Sequence, residues 1–235
     1  MFNFLLPSRI YLLIEKTLKF INSVFFPILL IGLTFALAIS PPDYIQGDSV
    51  RIMYLHVPSA WIGLACFASM AFLSILNFIF KTKNFFLINK SLAPIGLLFT
   101  CLAIITGSLW GKPTWGAFWV WDARLTSMMV LMFFYFFLIL SFKFIKDQDK
   151  LVKVSSLITI LGSINLPIIK FSVDWWTTLH QPASISLGKS SKIDPSMLYP
   201  LILMLLVFLL FSALIFLMKY KTEIIRIKKK RIKSL

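Results

Sequence analysis

The chain has 235 residues, 59% of them hydrophobic and only 14% charged, with a mean hydropathy of +0.87. Soluble domains hold about 45–50% apolar residues, so this composition excludes a water-exposed globular protein. The formal net charge of +15 is that of a nucleic-acid binder, but the basic residues flank apolar runs and no soluble domain carries them, which excludes nucleic acid as a partner.

Six apolar segments follow in chain order, at approximately 22–39, 54–80, 91–109, 123–145, 154–169 and 199–218. None alternates with period 2, and each is long enough for a helix across the hydrocarbon. The expected fold is an all-α integral membrane protein, a six-transmembrane-helix bundle forming one membrane domain over 1–235. Ala36-Leu37-Ala38, at the end of the first segment, resembles a leader cleavage site. The charged region before that segment is long and Pro41-Pro42 follow closely, so the segment reads as a retained span.

Orientation follows from Lys and Arg. The N-terminus, the connection near 81–90, the stretch 143–153 and the C-terminal tail hold 18 of the 24 basic residues. The positive-inside rule places these four regions, and with them both termini, in the cytoplasm or in a mitochondrial matrix. The tail Lys228-Lys229-Lys230-Arg231 reads as an anchor at an anionic lipid surface. The expected setting is a bacterial inner membrane, with the mitochondrial inner membrane as the alternative.

Three loops then lie outside, at 40–53, 110–122 and 170–198. The chain's two histidines, His56 and His180, and all seven tryptophans fall at this face. An aromatic belt that only anchors a bundle occupies both interfaces; this one occupies one. Four of the tryptophans, Trp110, Trp115, Trp119 and Trp121, fall between the third and fourth segments, in a loop expected over 110–126. Gly111 and Gly116 permit close backbone approach there, and Pro113 stiffens the turn. The pattern points to an aromatic platform for a large planar apolar ligand. Trp119 and Trp121 share a face if the backbone is extended and not if it is helical.

His56 and His180 flank that loop in sequence. Each precedes a proline by two residues, in Leu55-His56-Val57-Pro58 and Leu179-His180-Gln181-Pro182. Neutral imidazole is a common axial ligand of haem iron, and the pair with the platform favours ligation over two unrelated helix caps. Asp122 is placed either to cap the fourth helix or to contact the ligand. Arg51 and Arg124 are the arginines of the outer side. They either pair with Asp43, Asp48 or Asp174, or hold porphyrin propionates bidentately.

Other chemistries are excluded. Cys66 and Cys101 lie inside apolar runs with no C-x-x-C, which removes a redox pair and a c-type haem attachment site. No nucleotide loop, HExxH or Ser/His/Asp arrangement is present.

The run Trp115-Gly116-x-x-Trp119-x-Trp121-Asp122-x-Arg124-Leu125-Thr126 resembles the signature of the haem-handling WWD membrane proteins. Length, span number and the two outer histidines narrow the resemblance to the haem exporter protein C (CcmC) family of cytochrome c maturation. Tyr54-Leu55-His56-Val57-Pro58-Ser59-Ala60, Thr106-Gly107-Ser108-x-Trp110-Gly111-Lys112-Pro113 and Ser172-Val173-Asp174-Trp175-Trp176-x-Thr178-Leu179-His180-Gln181 support it. It covers about residues 40–200.

The resemblance implies haem b held between the tryptophan-rich loop and axial His56 and His180. Haem would pass to a periplasmic membrane-tethered haem chaperone. The resemblance also implies an ABC-type complex with ATPase and permease subunits and a small single-span partner, which agrees with the lack of an ATPase motif here. A haem delivery factor rather than an enzyme is expected. The alternatives are a haem lyase-like protein that attaches haem to apocytochrome c, and a haem-exporting permease subunit. A lyase relative is larger and carries further histidines within its spans. An electron-carrying b-type cytochrome needs ligands deeper in paired helices.

Overall fold

A computed structural model describes residues 7–182, 184–185 and 193–233. Lys189 and Lys192, within the outer loop expected over 170–198, lie outside the described residues. The described residues form helices α1 (Pro7–Thr34), α2 (Met53–Phe80), α3 (Lys83–Trp115), α4 (Ala123–Phe144), α5 (Gln148–Ser163), α6 (Asn165–Trp175) and α7 (Pro195–Lys233), with no strand among them. Six helical stretches are long and apolar enough to cross a membrane, α5 and α6 together supplying the fifth. The chain is a multi-pass, all-helical membrane protein.

Helices outrun the apolar segments that seed them. Intrahelical hydrogen bonding continues until a cap or an incompatible residue stops it, not where hydropathy falls. α3 therefore runs through Pro113 to Trp115. It ends where Gly116, at φ 79°, adopts the left-handed conformation and donates its N–H to the Lys112 carbonyl at 3.0 Å. That geometry suits a glycine because it has no Cβ to clash. Trp110 and Trp115 are thus helical, and the connection to α4 is confined to 116–122. The fifth span breaks at Ile164 and α6 then continues to Trp175, so Lys170 is helical rather than the start of a loop.

α2 and α3 form an antiparallel hairpin through Lys81 and Thr82, and this pair is the centre of the bundle. Phe67, Met70, Ala93, Phe99, Leu131, Tyr135 and Leu138 are fully or almost fully buried around it. Tyr135 of α4 donates its hydroxyl to the Gly63 carbonyl of α2 at 2.7 Å. A buried phenol finds a partner in this way. Other polar side chains in the core are paired too, although Thr100 Oγ1 and Asn89 Oδ1 are buried without a partner. Asn165 donates to the Ser127 carbonyl at 2.7 Å, and Ser74 pairs with Thr159 at 2.7 Å. Cys66 and Cys101 are unpaired thiols.

α7 lies along α1, and Lys221 near its end pairs with Glu15 of α1 at 2.7 Å. The start of α1 and the end of α7 therefore share one end of the bundle, which also carries the α2–α3 turn. The other end gathers the first turns of α2, the last turns of α3, the start of α4 and the end of α6. α1 closes there in a π-helical turn, Phe35–Ile39, followed by a 3-10 turn, Asp48–Ile52, that leads into α2. Ser40 and Tyr54 hydrogen-bond through their hydroxyls between these two turns.

Candidate functional site

The end of the bundle opposite the start of α1 and the end of α7 brings both histidines together. Their ring centres lie 6.4 Å apart, with the rings inclined at 39°. His56 projects from the first turns of α2 against α3, where its Nδ1 is 2.9 Å from the Ala103 carbonyl and 3.3 Å from the Thr106 hydroxyl. The carbonyl can only accept, so Nδ1 carries the proton and Nε2 keeps its lone pair. Gly107 makes this seat possible: a Cβ there would stand 2.8 Å from His56 Cε1.

His180 reaches the same place from the loop after α6. Its Nδ1 lies 2.9 Å from the Gln181 carbonyl and 3.1 Å from Arg124 Nη1. Nε2 of neither histidine has a hydrogen-bond partner among the described residues. Burial, and then the adjacent Arg124 charge, push the His180 imidazole down to about 4, so it is neutral at physiological pH. Neutral is the form that binds a metal.

The last turns of α3 put one tryptophan against each histidine. Trp110 meets His56 edge-on at 5.8 Å, and Trp115 lies 6.2 Å from His180. Trp110 is fixed by its indole N–H, which donates to Gln46 Oε1 at 2.8 Å. Trp119 and Trp121 form a separate pair at 5.7 Å with their planes at 78°. Four coplanar rings are therefore not what the loop builds. Adjacent rings settle edge-to-face because their quadrupoles repel when stacked in register. Trp121 is 75% exposed, whereas Trp119 is half-buried and its Nε1 is buried without a partner.

Asp122 caps α4, its Oδ1 accepting from the Leu125 N–H at 2.8 Å; its Oδ2 is buried and unpartnered. Two orphaned buried polar atoms lie close in sequence. Each carries a cost of about 1–3 kcal/mol unless a ligand, partner or water meets it.

Arg124 is held from three sides. Besides His180, its Nε donates to Ser172 Oγ at 3.1 Å and its Nη2 to the Lys170 carbonyl at 3.2 Å, both on α6. Arg51 is placed apart from the rings. It pairs with Asp48 at 3.1 Å and donates to the Ala36 carbonyl in the π-turn at 3.2 Å. Of the two readings open for it in the sequence, pairing with Asp48 is the contact observed. Thr106, Gly107 and Ser172 lie in the stretches that carry the family resemblance but had no role assigned from sequence, and Gln46 was not singled out at all. Only Gly107 carried a local signal, a glycine in the last turns of an otherwise bulky apolar helix.

The geometry suits a bis-imidazole metal. Two imidazoles sharing one metal through bonds of about 2 Å hold their ring centres roughly 6 Å apart, close to the spacing observed. The pair supplies two nitrogen donors, the number left open on a metal whose other positions are filled by a macrocycle.

The fold and this face define a six-span membrane protein that gathers two histidines and an aromatic surround at one end. Comparison of sequences narrows the class. The profile of the Heme exporter protein C (CcmC) family matches residues 1–234. "Heme exporter protein C" of Bradyrhizobium diazoefficiens is 40% identical over 97% of this chain and 86% of its own length. Its namesake in Escherichia coli K12 is 38% identical over 96% and 91%. A "Putative cytochrome c biosynthesis ccmC-like mitochondrial protein" of Marchantia polymorpha is 43% identical over 80% and 79%. The chain belongs to the Heme exporter protein C family. The match reaches both termini, beyond the 40–200 over which motifs are recognisable by eye. The protein is a multi-pass inner-membrane protein that handles haem in cytochrome c maturation.

Proposed function

We propose that this chain holds haem b at the outer end of its bundle and presents it to a periplasmic, membrane-tethered haem chaperone. The observation that carries the reading is the histidine pair, 6.4 Å between ring centres, with each Nδ1 beside a backbone carbonyl and neither Nε2 hydrogen-bonded to a described residue. Bonded Nδ1 atoms orient an imidazole for ligation, as second-sphere partners do in metal sites. His56 and His180 are the axial ligands in this reading. Trp110 and Trp115 wall the iron, and Trp119 and Trp121 extend the apolar surface towards the partner. The buried Trp119 N–H is a donor awaiting a carboxylate. Arg124 takes a propionate; Arg51 does so only by exchanging Asp48, which is 80% exposed on its side chain. Asp122 holds the loop's exit into α4.

The basic end of the bundle faces the cytoplasm or matrix under the positive-inside rule, so haem sits at the periplasmic or intermembrane side. The chain carries no nucleotide-binding loop. Release of the loaded chaperone is assigned, on the family resemblance, to an ABC-type ATPase and permease, with a small single-span subunit completing the complex.

The test separates holding haem from handing it on. Arg124→Ala and Asp122→Ala are expected to lower covalent haem on the chaperone more than haem in the purified membrane protein. Misplacing a reacting group by about 1 Å costs on the order of a hundredfold in rate, while two histidines still retain iron. A parallel fall in both quantities would remove the presenting role.

A further inference from the structure

At the end of the bundle opposite the histidines, α3, α4 and α7 leave a cleft of about 330 Å³. Pro94, Ile139 and Phe142 form its apolar floor. Lys90, Lys219, Glu223 and Arg226 form its rim. The Glu223 carboxylate is fully used. Lys90 Nζ is 2.8 Å from its Oε2 and Arg226 Nη1 is 2.6 Å from its Oε1, and its side chain is only 12% exposed. Three cations against one carboxylate leave two positive charges in excess. Lys219 makes no hydrogen bond or ion pair with any described residue, and Arg226 keeps most of its guanidinium exposed, at 63%.

The depth of these groups is set by the sequence. Lys219 is the first cation after the apolar run of α7, and Lys90 the last before the apolar run of α3. Both therefore sit where hydrocarbon gives way to headgroups. A cationic rim over an apolar floor at that level matches a phosphate above the first carbons of acyl chains, and basic pockets between spanning helices bind anionic headgroups. A soluble phosphate would leave the floor uncovered.

We propose that this cleft is a binding site for an anionic phospholipid, its phosphate held by Lys219 and Arg226 and its glycerol and acyl stems lying on Pro94, Ile139 and Phe142. The site is separate from the haem reading and does not depend on it.

The experiment uses the full chain reconstituted in bilayers of phosphatidylcholine with a minority of phosphatidylglycerol, then stripped stepwise and weighed intact with its retained lipids. Wild type is expected to keep phosphatidylglycerol in preference. Each surface cation contributes about fivefold to attraction for an anionic lipid, so Lys219→Ala with Arg226→Ala should lower retention about thirtyfold. Neither residue is buried, and haem content should not change. Lys228→Ala with Lys229→Ala, in the tail that lies along the lipid surface beyond the cleft, should lower retention much less than the cleft variant does, because the tail attracts anionic headgroups without an apolar floor to hold one lipid. Undiminished phosphatidylglycerol in the cleft variant overturns the proposal. An equal loss from the tail variant overturns it too, because the attraction is then diffuse. Displacement by millimolar inorganic phosphate would assign the cleft to a soluble anion, and displacement by equimolar haem to a carboxylate cargo; either replaces the lipid.

Discussion

Arg124 Nη1 stands 3.1 Å from His180 Nδ1, and this bond excludes the one beside it. A guanidinium only donates, so His180 Nδ1 must accept and its proton must sit on Nε2. The Gln181 carbonyl, 2.9 Å from the same Nδ1, is satisfied only by the opposite tautomer. With Arg124 engaged, His180 cannot ligate iron through Nε2; with Gln181 engaged, it can. A propionate that draws Arg124 away therefore frees His180 to ligate. Iron porphyrin with esterified propionates is expected to bind wild type through His56 alone and give a high-spin spectrum. Arg124→Ala should convert that complex to low spin. Equal spin states in the two proteins would show that Arg124 does not govern the tautomer.

The pH dependence of ligation follows from His180, which burial and the Arg124 charge hold at about 4 against an ordinary 6.5. Above 6.5 the imidazole is neutral in folded and unfolded chains alike. As pH falls from 6.5 to about 4, the unfolded chain takes the proton first, so folded-state stability from this group declines across that window. Ligation itself should stay flat from pH 7 to about 5 and fail at or below about 4, read from the Soret band. Arg124→Ala should move the failure upward by removing the positive neighbour. A midpoint near 6.5 in wild type would mean that His180 is solvated.

Gly107 is the seat of His56. A Cβ at this position meets the imidazole at 2.8 Å, and overpacking of this kind costs about 1–3 kcal/mol. Gly107→Ala should displace His56 and convert bound haem to a His180-only, high-spin species while the helical content is kept. A low-spin spectrum like wild type would show that the ring can shift without losing iron.

Much of this site was legible because membrane topology folds sequence onto one axis. Alternation of spans sends His56 and His180 to one end, and a one-sided set of tryptophans marks that end. The details were not legible, because they depend on side-chain geometry. Pro113 suggests a turn, yet its fixed φ is compatible with a helix, and Gly116 three residues on stops α3 instead. The partners of Arg124 come from α6, a helix expected to end near residue 169 that continues to Trp175. Its buried Ser172 opens a stretch that carries the family resemblance, but nothing local marked its hydroxyl as the partner of Arg124. The π-turn at Phe35–Ile39, which offers the Ala36 carbonyl to Arg51, left no trace in an unbroken apolar run.

Trp121 separates surface from stability. At 75% exposure its loss should leave thermal unfolding unchanged. Its role in covering the macrocycle should still appear as reduced haem, with about 0.5–1.5 kcal/mol of ring contact removed. Trp115→Ala, Trp119→Ala and Trp121→Ala together should retain little haem. Full haem in the triple variant would assign these rings to lipid anchoring.

The central claim is that His56 and His180 hold one iron between them. The direct measurement is the optical spectrum of the purified protein with both residues changed to Ala, with and without added imidazole. Each single change should weaken haem retention, and the double change should abolish it. Imidazole should restore part of the low-spin band by filling the emptied positions. Unchanged haem content and spin state in the double variant would contradict the account.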